Sequence, residues 1–398
     1  MNIRSDFPIL KKNIIYFDSC ATTLKPKVVI DEISDYYSNY SANAHRGDYD
    51  ISLKVDNKIK EVRNNVKDFI NAKKAKEIIF TSGTTESLNM VVNGFFYDYL
   101  NKDDEILTTK AEHASLILPW FALSKKIGTK VVYADLNDDL TLSVDNIKKA
   151  ITDKTKVISL AYVTNVMGDI RNIKEITKIA HEKGILVVID AAQAVPHMKV
   201  DVKDLDVDFM CFSAHKMLGP TGVGVLYAKE KLLEKIKPLI VGGGMNTFFD
   251  SLGNVEYKEL PERLEAGTIN IAGIIGFGKA IDYINNIGID NIHKHEIELK
   301  KYLVDKLSKL DNIIIYNKDI ENGILTFNIK DIFAQDVSAY LNKKNICVRV
   351  GSHCAKILSE VLGEKNTIRA SMYIYNTKED IDKLVDALNN DNILYESL

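Results

Sequence analysis

Hydrophobic residues in the middle of the chain come in short unbroken runs rather than in alternation. Ile185-Leu186-Val187-Val188-Ile189 leads into Asp190, and this reads as a parallel strand buried on both faces with a carboxylate at its C-terminal edge. Similar runs at 77–81, 105–109, 157–163 and 208–212 predict further strands, each followed by a polar or glycine-bearing turn. After the first of these, Leu88, Val91, Val92, Phe95 and Phe96 recur at helical spacing. From about 60 to 230 the sequence strand, turn, helix repeats, which predicts an α/β fold with one large, doubly wound, mostly parallel sheet. Ligands in such sheets sit at the C-terminal strand edge, so the turns are where chemistry is expected.

Outside that region the pattern changes. A long helical stretch from about Ile271 to Leu310 leads to strands at Ile313–Ile315, Ile324–Phe327 and Ile346–Val350, with helices near 334–342 and 378–389. Strands and helices mix there without a parallel repeat, which predicts a smaller α+β domain. A short strand over Asn13–Asp18 precedes Pro26, which fits the opening of a helix. The expected division is an N-terminal segment, 1–20, joining the small domain, a large domain over 21–280, and a small C-terminal domain over 281–398. No proline- or glycine-rich linker marks the second boundary.

Composition narrows the function. At 398 residues the chain is too long for one ordinary core, and 46% hydrophobic residues can fill two or three. Lysine plus arginine (52) nearly balances aspartate plus glutamate (55), so no basic field recommends nucleic acid, and a small metabolite is the better expectation. No apolar run approaches the roughly 18 residues of a membrane span, and the first residues lack the apolar core of a signal peptide. A cytoplasmic protein is expected. Cys20, Cys211, Cys347 and Cys354 form no CxxC pair and follow no zinc-like spacing, so free thiols and no metal site are expected.

The chemistry concentrates between 185 and 227. Asp190 leaves one strand end, and after the strand at 208–212 Ser213-Ala214-His215-Lys216 turns into the glycine-rich stretch 219–224. A lysine so presented can condense with an aldehyde, and an aspartate can keep a pyridine nitrogen protonated so that the ring accepts electrons. Those are the demands of pyridoxal 5'-phosphate. Taken singly, each residue reads better as a solvated surface group; it is the two together that point to the cofactor.

The stretches DAAQAVPHMKVDV and FSAHKMLGPTGVGVLY resemble the class V aminotransferase family, of pyridoxal-phosphate fold type I, and within it the cysteine desulfurase branch of the SufS kind. The likeness runs from about Tyr16 to Leu388. It implies cofactor contacts from Asp190, Gln193, Ser213, His215 and Lys216. Ser82-Gly83-Thr84-Thr85-Glu86 opens a helix with hydroxyls, a ready anion seat or an ordinary cap; the resemblance makes Thr84 and Thr85 phosphate ligands. It makes His113, beyond the strand at 105–109, the ring that stacks on the pyridine and moves protons, and it places Asn165 beside the cofactor and substrate. Asn165 is otherwise an ordinary turn residue. Asn43-Ala44-His45-Arg46-Gly47 resembles a segment at the active-site mouth, or is a surface turn. Thr268, in Glu265-Ala266-Gly267-Thr268, matches a residue that reaches the cofactor phosphate of a neighbouring subunit, which implies a homodimer with composite sites. Ile269 stands where the family commonly has proline, and Ser19-Cys20 where it has Asn-Ala; Cys20 is expected to be a packed thiol rather than a reactive one.

Cys211 and Cys347 lie inside strands and read as buried fillers. Cys354 sits in the small-residue loop Gly351-Ser352-His353-Cys354-Ala355, just after the strand that carries Arg349. That places it as a mobile nucleophile. Arg369, on a following strand, matches the family's clamp for a substrate carboxylate, which an arginine fork holds through two parallel hydrogen bonds. Arg349 is expected to tune the loop or to serve as a structural ion-pair partner. The resemblance then implies that Lys216 holds the cofactor and moves the Cα proton of L-cysteine. Cys354 attacks the substrate sulfur, leaving a persulfide and releasing alanine. A free thiol with a pKa of about 8.5 is mostly protonated at neutral pH, and His353 is the nearest residue in sequence to take that proton. The short spacing from Cys354 to Arg369 resembles the branch that hands sulfur to an acceptor protein of the SufE or SufU type, for iron–sulfur cluster assembly. Ser352 and Ile357 depart from that branch's histidine and proline, which bears on the acceptor. Competing readings are a selenocysteine lyase acting on L-selenocysteine, another β-lyase or aminotransferase on the same scaffold, and a non-catalytic binding or scaffold protein.

Overall fold

A computed structural model describes residues 3–44, 47–390 and 392–397. Its centre is a seven-stranded sheet in the order Ile78–Thr81, Gly224–Ala228, Phe209–Ser213, Leu186–Asp190, Thr155–Ala161, Glu105–Thr109, Lys130–Ala134. Gly224–Ala228 runs antiparallel to both neighbours and the remaining neighbouring pairs are parallel. Ala161 pairs with Asp190, Asp190 with Cys211, and Gly224 with both Ser213 and Thr81. The strand ends that carry Thr81, Thr109, Ala161, Asp190 and Ser213 therefore form one edge, and the turns beyond them open side by side.

These strands form because their residues are branched or aromatic and both faces are covered. Val187, Val188, Ile189, Phe209 and Met210 are fully buried. On one face Phe209 meets Phe95 and Phe96 edge-on, with ring centroids 5.1 and 5.7 Å away. Trp120 packs against Phe96 and donates its indole N–H to Ser159 Oγ at 2.8 Å, so its one polar atom is satisfied inside the core. The helical spacing after Gly83 becomes the helix Thr84–Val91 and a π-helical turn, Val92–Phe96.

A second, antiparallel sheet runs Ile313–Ile315, Ile324–Ile329, Thr367–Ser371, Arg349–Gly351, over its own core of Leu303, Phe327, Tyr340 and Leu384. The N-terminal Ile15–Tyr16 pairs in parallel with Ile346–Cys347, and Asp18 bridges to Ser371. The single strand expected over 346–350 is thus two short ones, because the chain changes partner at Val348, from the N-terminal segment to the Thr367–Ser371 strand. The helical stretch after 270 is likewise two helices, Ile271–Ile287 and Ile289–Leu307, broken at Gly288, whose φ of +86° only glycine adopts readily. Residue 280 lies inside the first of them. The strand Lys130–Ala134 and an exposed hairpin, Asn246–Phe249 with Val255–Tyr257, were not marked by the hydrophobic pattern. Among the described residues no helix is long and apolar enough to cross a membrane, and no group of three or more acidic, histidine or cysteine side chains could hold a metal ion.

Gly224 is where two turns of the ligand edge meet. A Cβ there would lie 2.4–2.6 Å from the main chain of Gly83, which begins the Thr84 helix. Backbone cannot step aside as a flexible side chain can. Gly224→Ala is expected to destabilise the protein by about 1–3 kcal/mol, an overpacking effect read from urea unfolding midpoints.

Candidate active site

The ligand edge of the large sheet and the loop after Arg349 enclose a cavity of about 650 Å³, its open mouth included. Thr84, Thr85, His113, Asn165, Asp190, Ser213, His215, Lys216, Arg349, Cys354 and Arg369 all line it. Residues up to 349 positions apart are thereby brought to one place by strand ends and the loops beside them, since Cys20 and Arg369 share the wall.

The corner where an anion seat is expected is built by two pairs of hydroxyls. Ser213 Oγ accepts from the main-chain N–H of Thr84 at 2.7 Å and lies 2.6 Å from Thr84 Oγ1. Thr85 Oγ1 lies 2.7 Å from Ser115 Oγ, at the start of the helix Ala114–Ile127. Two helix N-termini therefore face the same corner, each favouring negative charge.

Deeper in, Asp190 Oδ1 accepts from the N–H of Ala192 at 2.9 Å. Burial raises the Asp190 pKa, against the pull of the Lys216 ammonium. Burial lowers the Lys216 pKa, against the pull of Asp190. His113 caps its helix: Nδ1 accepts from the N–H of Ser115 at 3.1 Å, which leaves the proton of the neutral ring on Nε2. Burial, aided by Lys216, draws its pKa down to about 4.

Asn165 ties the mouth together. Its Nδ2 donates to the His353 carbonyl at 2.8 Å, and its own carbonyl accepts from Arg369 Nη1 at 2.8 Å. Arg369 Nη2 reaches Asp18 Oδ1 at 3.2 Å, while Arg349 Nη1 lies 3.8 Å from Asp18 Oδ2. Arg369 Nε and Asn165 Oδ1, both buried, have no hydrogen-bond partner among the described residues. Cys354 is exposed, and its carbonyl accepts from the N–H of Ala114 at 2.7 Å. His353 and Cys354 both hold positive φ, 51° and 58°, a conformation that disfavours any residue with a Cβ.

Several expectations change. His353 turns into the protein, with Nε2 2.9 Å from Thr367 Oγ1, and burial lowers its pKa to about 3. A base that weak cannot take the Cys354 proton near neutrality. Gln193 does not line the cavity: its amide donates to the Cys20 carbonyl at 2.8 Å, and it faces a smaller space behind Cys20. Thr268 is exposed and does not line the cavity of its own chain, which leaves the expectation that it reaches a neighbouring subunit unchanged. Cys347 is half-buried rather than a core filler, and Cys20 is buried yet touches the cavity wall. His45 and Arg46 lie outside the described residues.

The sequence reading missed three groups. Asp18 ends a short strand with a carboxylate, the same signal that marked Asp190. Ser115 gave no signal beyond a helix start. Glu112 and Arg171 form a fully buried pair at 2.5 Å beside Thr109 and Ala161. Glu112 Oε2 accepts from the Ala161 N–H at 2.8 Å, and Arg171 also donates to Thr109 Oγ1 and the Ala161 carbonyl. The turns after Thr109 and Ala161 are thus fixed to each other. Arg171→Leu leaves the Glu112 charge uncompensated and is expected to cost about 3–5 kcal/mol in urea unfolding.

The imidazoles also predict a pH effect. His113 and His215 are held to about 4 and His353 to about 3, whereas an unfolded histidine titrates near 6.5. Between those values the unfolded chain binds more protons, so stability is complete above about 6.5 and falls as the pH drops toward 3. Urea midpoints measured from pH 7 to 5 should decline, and His353→Gln should lessen the slope.

Comparison with known proteins agrees with this geometry. The profile of the family described as Aminotransferase class-V matches residues 15–384. A probable cysteine desulfurase of Halalkalibacterium halodurans is 43% identical over 391 residues, covering 97% of this chain and 96% of the relative. The apo structure of a cysteine desulfurase from Thermococcus onnurineus NA1 superposes with a TM-score of 0.93 at 38% identity, covering 97% of this chain and 96% of that one. The cysteine desulfurase CsdA of Escherichia coli gives 0.92 at 34% identity, covering 99% and 98%. With strand-end aspartate and lysine, paired arginines and an exposed loop cysteine around one cavity, and with likeness along nearly its whole length, the chain belongs to the class V aminotransferase family.

Proposed function

We propose that the protein is a pyridoxal-phosphate-dependent cysteine desulfurase, converting L-cysteine to L-alanine and holding the sulfur as a persulfide on Cys354. The observation that carries this reading is an exposed thiol, Cys354, in the same cavity as Lys216, Asp190 and Arg369. An aminotransferase working without a thiol has no use for that arrangement. The relatives from Halalkalibacterium, Thermococcus and Escherichia coli are named for the same activity.

The residues fit the cofactor. Among the described residues buried Asn165 Oδ1 and Arg369 Nε lack partners, the Thr84 and Ser115 helix starts offer an anion seat, and Lys216 and Asp190 occupy the depth of the same cavity. Thr84, Thr85, Ser213 and His215 would hold the phosphate end, Asp190 the ring nitrogen, His113 the ring face and Asn165 the ring edge. Gln193 would act from behind Cys20. When bound, pyridoxal phosphate supplies the electron sink that lets bonds at the substrate Cα and Cβ break.

Each residue then has a task. Arg369 retains a donor at Nε for the substrate carboxylate, while its contacts to Asn165 and Asp18 fix the plane of the guanidinium. Arg349, on the same carboxylate of Asp18, keeps the loop mouth positively charged. Lys216, whose burial favours the neutral amine, takes the Cα proton of L-cysteine. His113, neutral with its proton on Nε2, donates rather than accepts in the resting site. Cys354 Sγ attacks the substrate sulfur, the substrate C–S bond breaks, and the sulfur stays on Cys354. With His353 too weak a base, the Cys354 proton passes to solvent or to the substrate.

Exposure of Cys354 suits transfer to an acceptor protein of the SufE or SufU type, and iron–sulfur cluster assembly in the cytoplasm is the destination this reading favours. Exposed Thr268 suits a homodimer in which it reaches the neighbouring copy's phosphate seat. The chain is read as a large cofactor domain over 21–280 and a small domain over 281–398 joined by residues 1–20.

Intact mass after brief incubation with L-cysteine, without reductant, tests the reading, beside Cys354→Ala and with alanine assayed in the same tubes. One added sulfur atom on the native chain, absent from the variant, with matching alanine is the expected result. Alanine formed equally by the variant would point to a lyase that needs no thiol. Turnover of L-selenocysteine alone would point to a selenocysteine lyase. A protein that takes up no pyridoxal phosphate would overturn the proposal.

A further inference from the structure

The main-chain carbonyl of His215 carries four donors. It accepts from the N–H of Thr23 at 3.0 Å, the hydroxyls of Thr22 and Thr23 at 3.0 and 3.1 Å, and Lys25 Nζ at 2.9 Å. A carbonyl oxygen has two lone pairs, so this set exceeds ordinary satisfaction. The hydroxyls are consistently oriented. Thr22 Oγ1 donates to His215 and accepts from Lys25 at 3.2 Å, and Thr23 Oγ1 donates to His215 and accepts from the N–H of Leu218 at 2.8 Å. Lys25 also donates to the Thr23 carbonyl.

That carbonyl belongs to the peptide that precedes Lys216. The single 3-10 turn Ala214–Lys216 engages the Ala214 carbonyl, through the N–H groups of Met217 and Gly219, but is too short to engage that of His215, and Leu218 beyond it holds φ at +64°. The N-terminal segment therefore supplies from outside the hydrogen bonds that a longer helix would make within itself. Lys25 is mostly buried, and among the described residues no carboxylate pairs with it; burial alone pulls its pKa down to about 7. A lysine kept at such a place is retained for its donors, not for an ion pair. It does not line the cavity, so it acts through the turn.

We propose that Lys25 is a positioning residue for Lys216: with Thr22 and Thr23 it locks the His215–Lys216 peptide, so that the Lys216 amine meets an aldehyde in one orientation. This rests on the reading that Lys216 holds pyridoxal phosphate. The condensation joins the Lys216 nitrogen to the aldehyde carbon with loss of water, and Lys25 takes no part in the bond change.

The test uses the full chain freed of cofactor, mixed with pyridoxal phosphate and quenched with borohydride at timed intervals, the Lys216 adduct being read by intact mass. Lys25→Met should form the adduct about tenfold more slowly than the native chain, as misplacing a reacting group does, and Lys25→Arg should recover to within about twofold, since it restores charged donors. In steady state Lys25→Met should lower kcat while leaving KM for L-cysteine unchanged. A native rate in Lys25→Met overturns the proposal. So does Lys25→Arg as slow as Lys25→Met, which would mark general damage. If Lys25→Met does not fold, Thr22→Val decides: about fivefold slower capture supports the clamp, and a native rate overturns it. No adduct on the native chain removes the reading beneath it, a failure distinct from slow capture in the variants alone.

Discussion

A buried guanidinium must be surrounded by acceptors, and in this protein that requirement joins the two sheets. Arg369, on the smaller sheet, is almost wholly buried. Its partners are the Asn165 carbonyl, from the ligand edge of the large sheet, and the Asp18 carboxylate, from the N-terminal segment. Removing either leaves a charge in a low-dielectric wall. The same Asn165 holds the loop of Cys354 through the His353 carbonyl. Arg369, the Cys354 loop and Asn165 are therefore one hydrogen-bonded unit, and the turn 164–168 extends it, since Thr326 and Asn317 donate to the carbonyls of Val166 and Met167.

The nucleophile loop gains its geometry from this unit. Two successive residues in the left-handed region are disfavoured by about 1 kcal/mol or more each. The Ala114 and Asn165 contacts to the carbonyls of Cys354 and His353 hold the main chain there, while the Cys354 side chain stays exposed. The main chain is thereby fixed while the thiol alone stays open to the cavity and to solvent.

Much of this was legible in the sequence because strand ends write themselves as apolar runs with an abrupt polar stop. Asp190 and Lys216 stood out in that way, Thr84, Thr85 and His113 only through the family resemblance at such strand ends, and Cys354 by contrast with cysteines inside strands. The Glu112–Arg171 pair was invisible because its members lie on separate turns with no shared period, and only packing brings them together. The run at 346–350 reads as one strand, since hydrophobicity cannot say that a chain changes partner midway. His353 was adjacent to Cys354 in sequence but not in orientation: its ring turns to Thr367. Gln193 shows the limit of residue-by-residue likeness, because a matching letter does not say which cavity it faces.

The parallel pairing of Ile15–Tyr16 with Ile346–Cys347, and the bridge from Asp18 to Ser371, bind the first segment of the chain to nearly its last. On the ribosome, the large sheet with Lys216 emerges well before Arg369 exists. Such distant closures form late in folding. The amine would thus wait in a half-walled cleft until the strand that carries Arg369 has emerged and packed beside it.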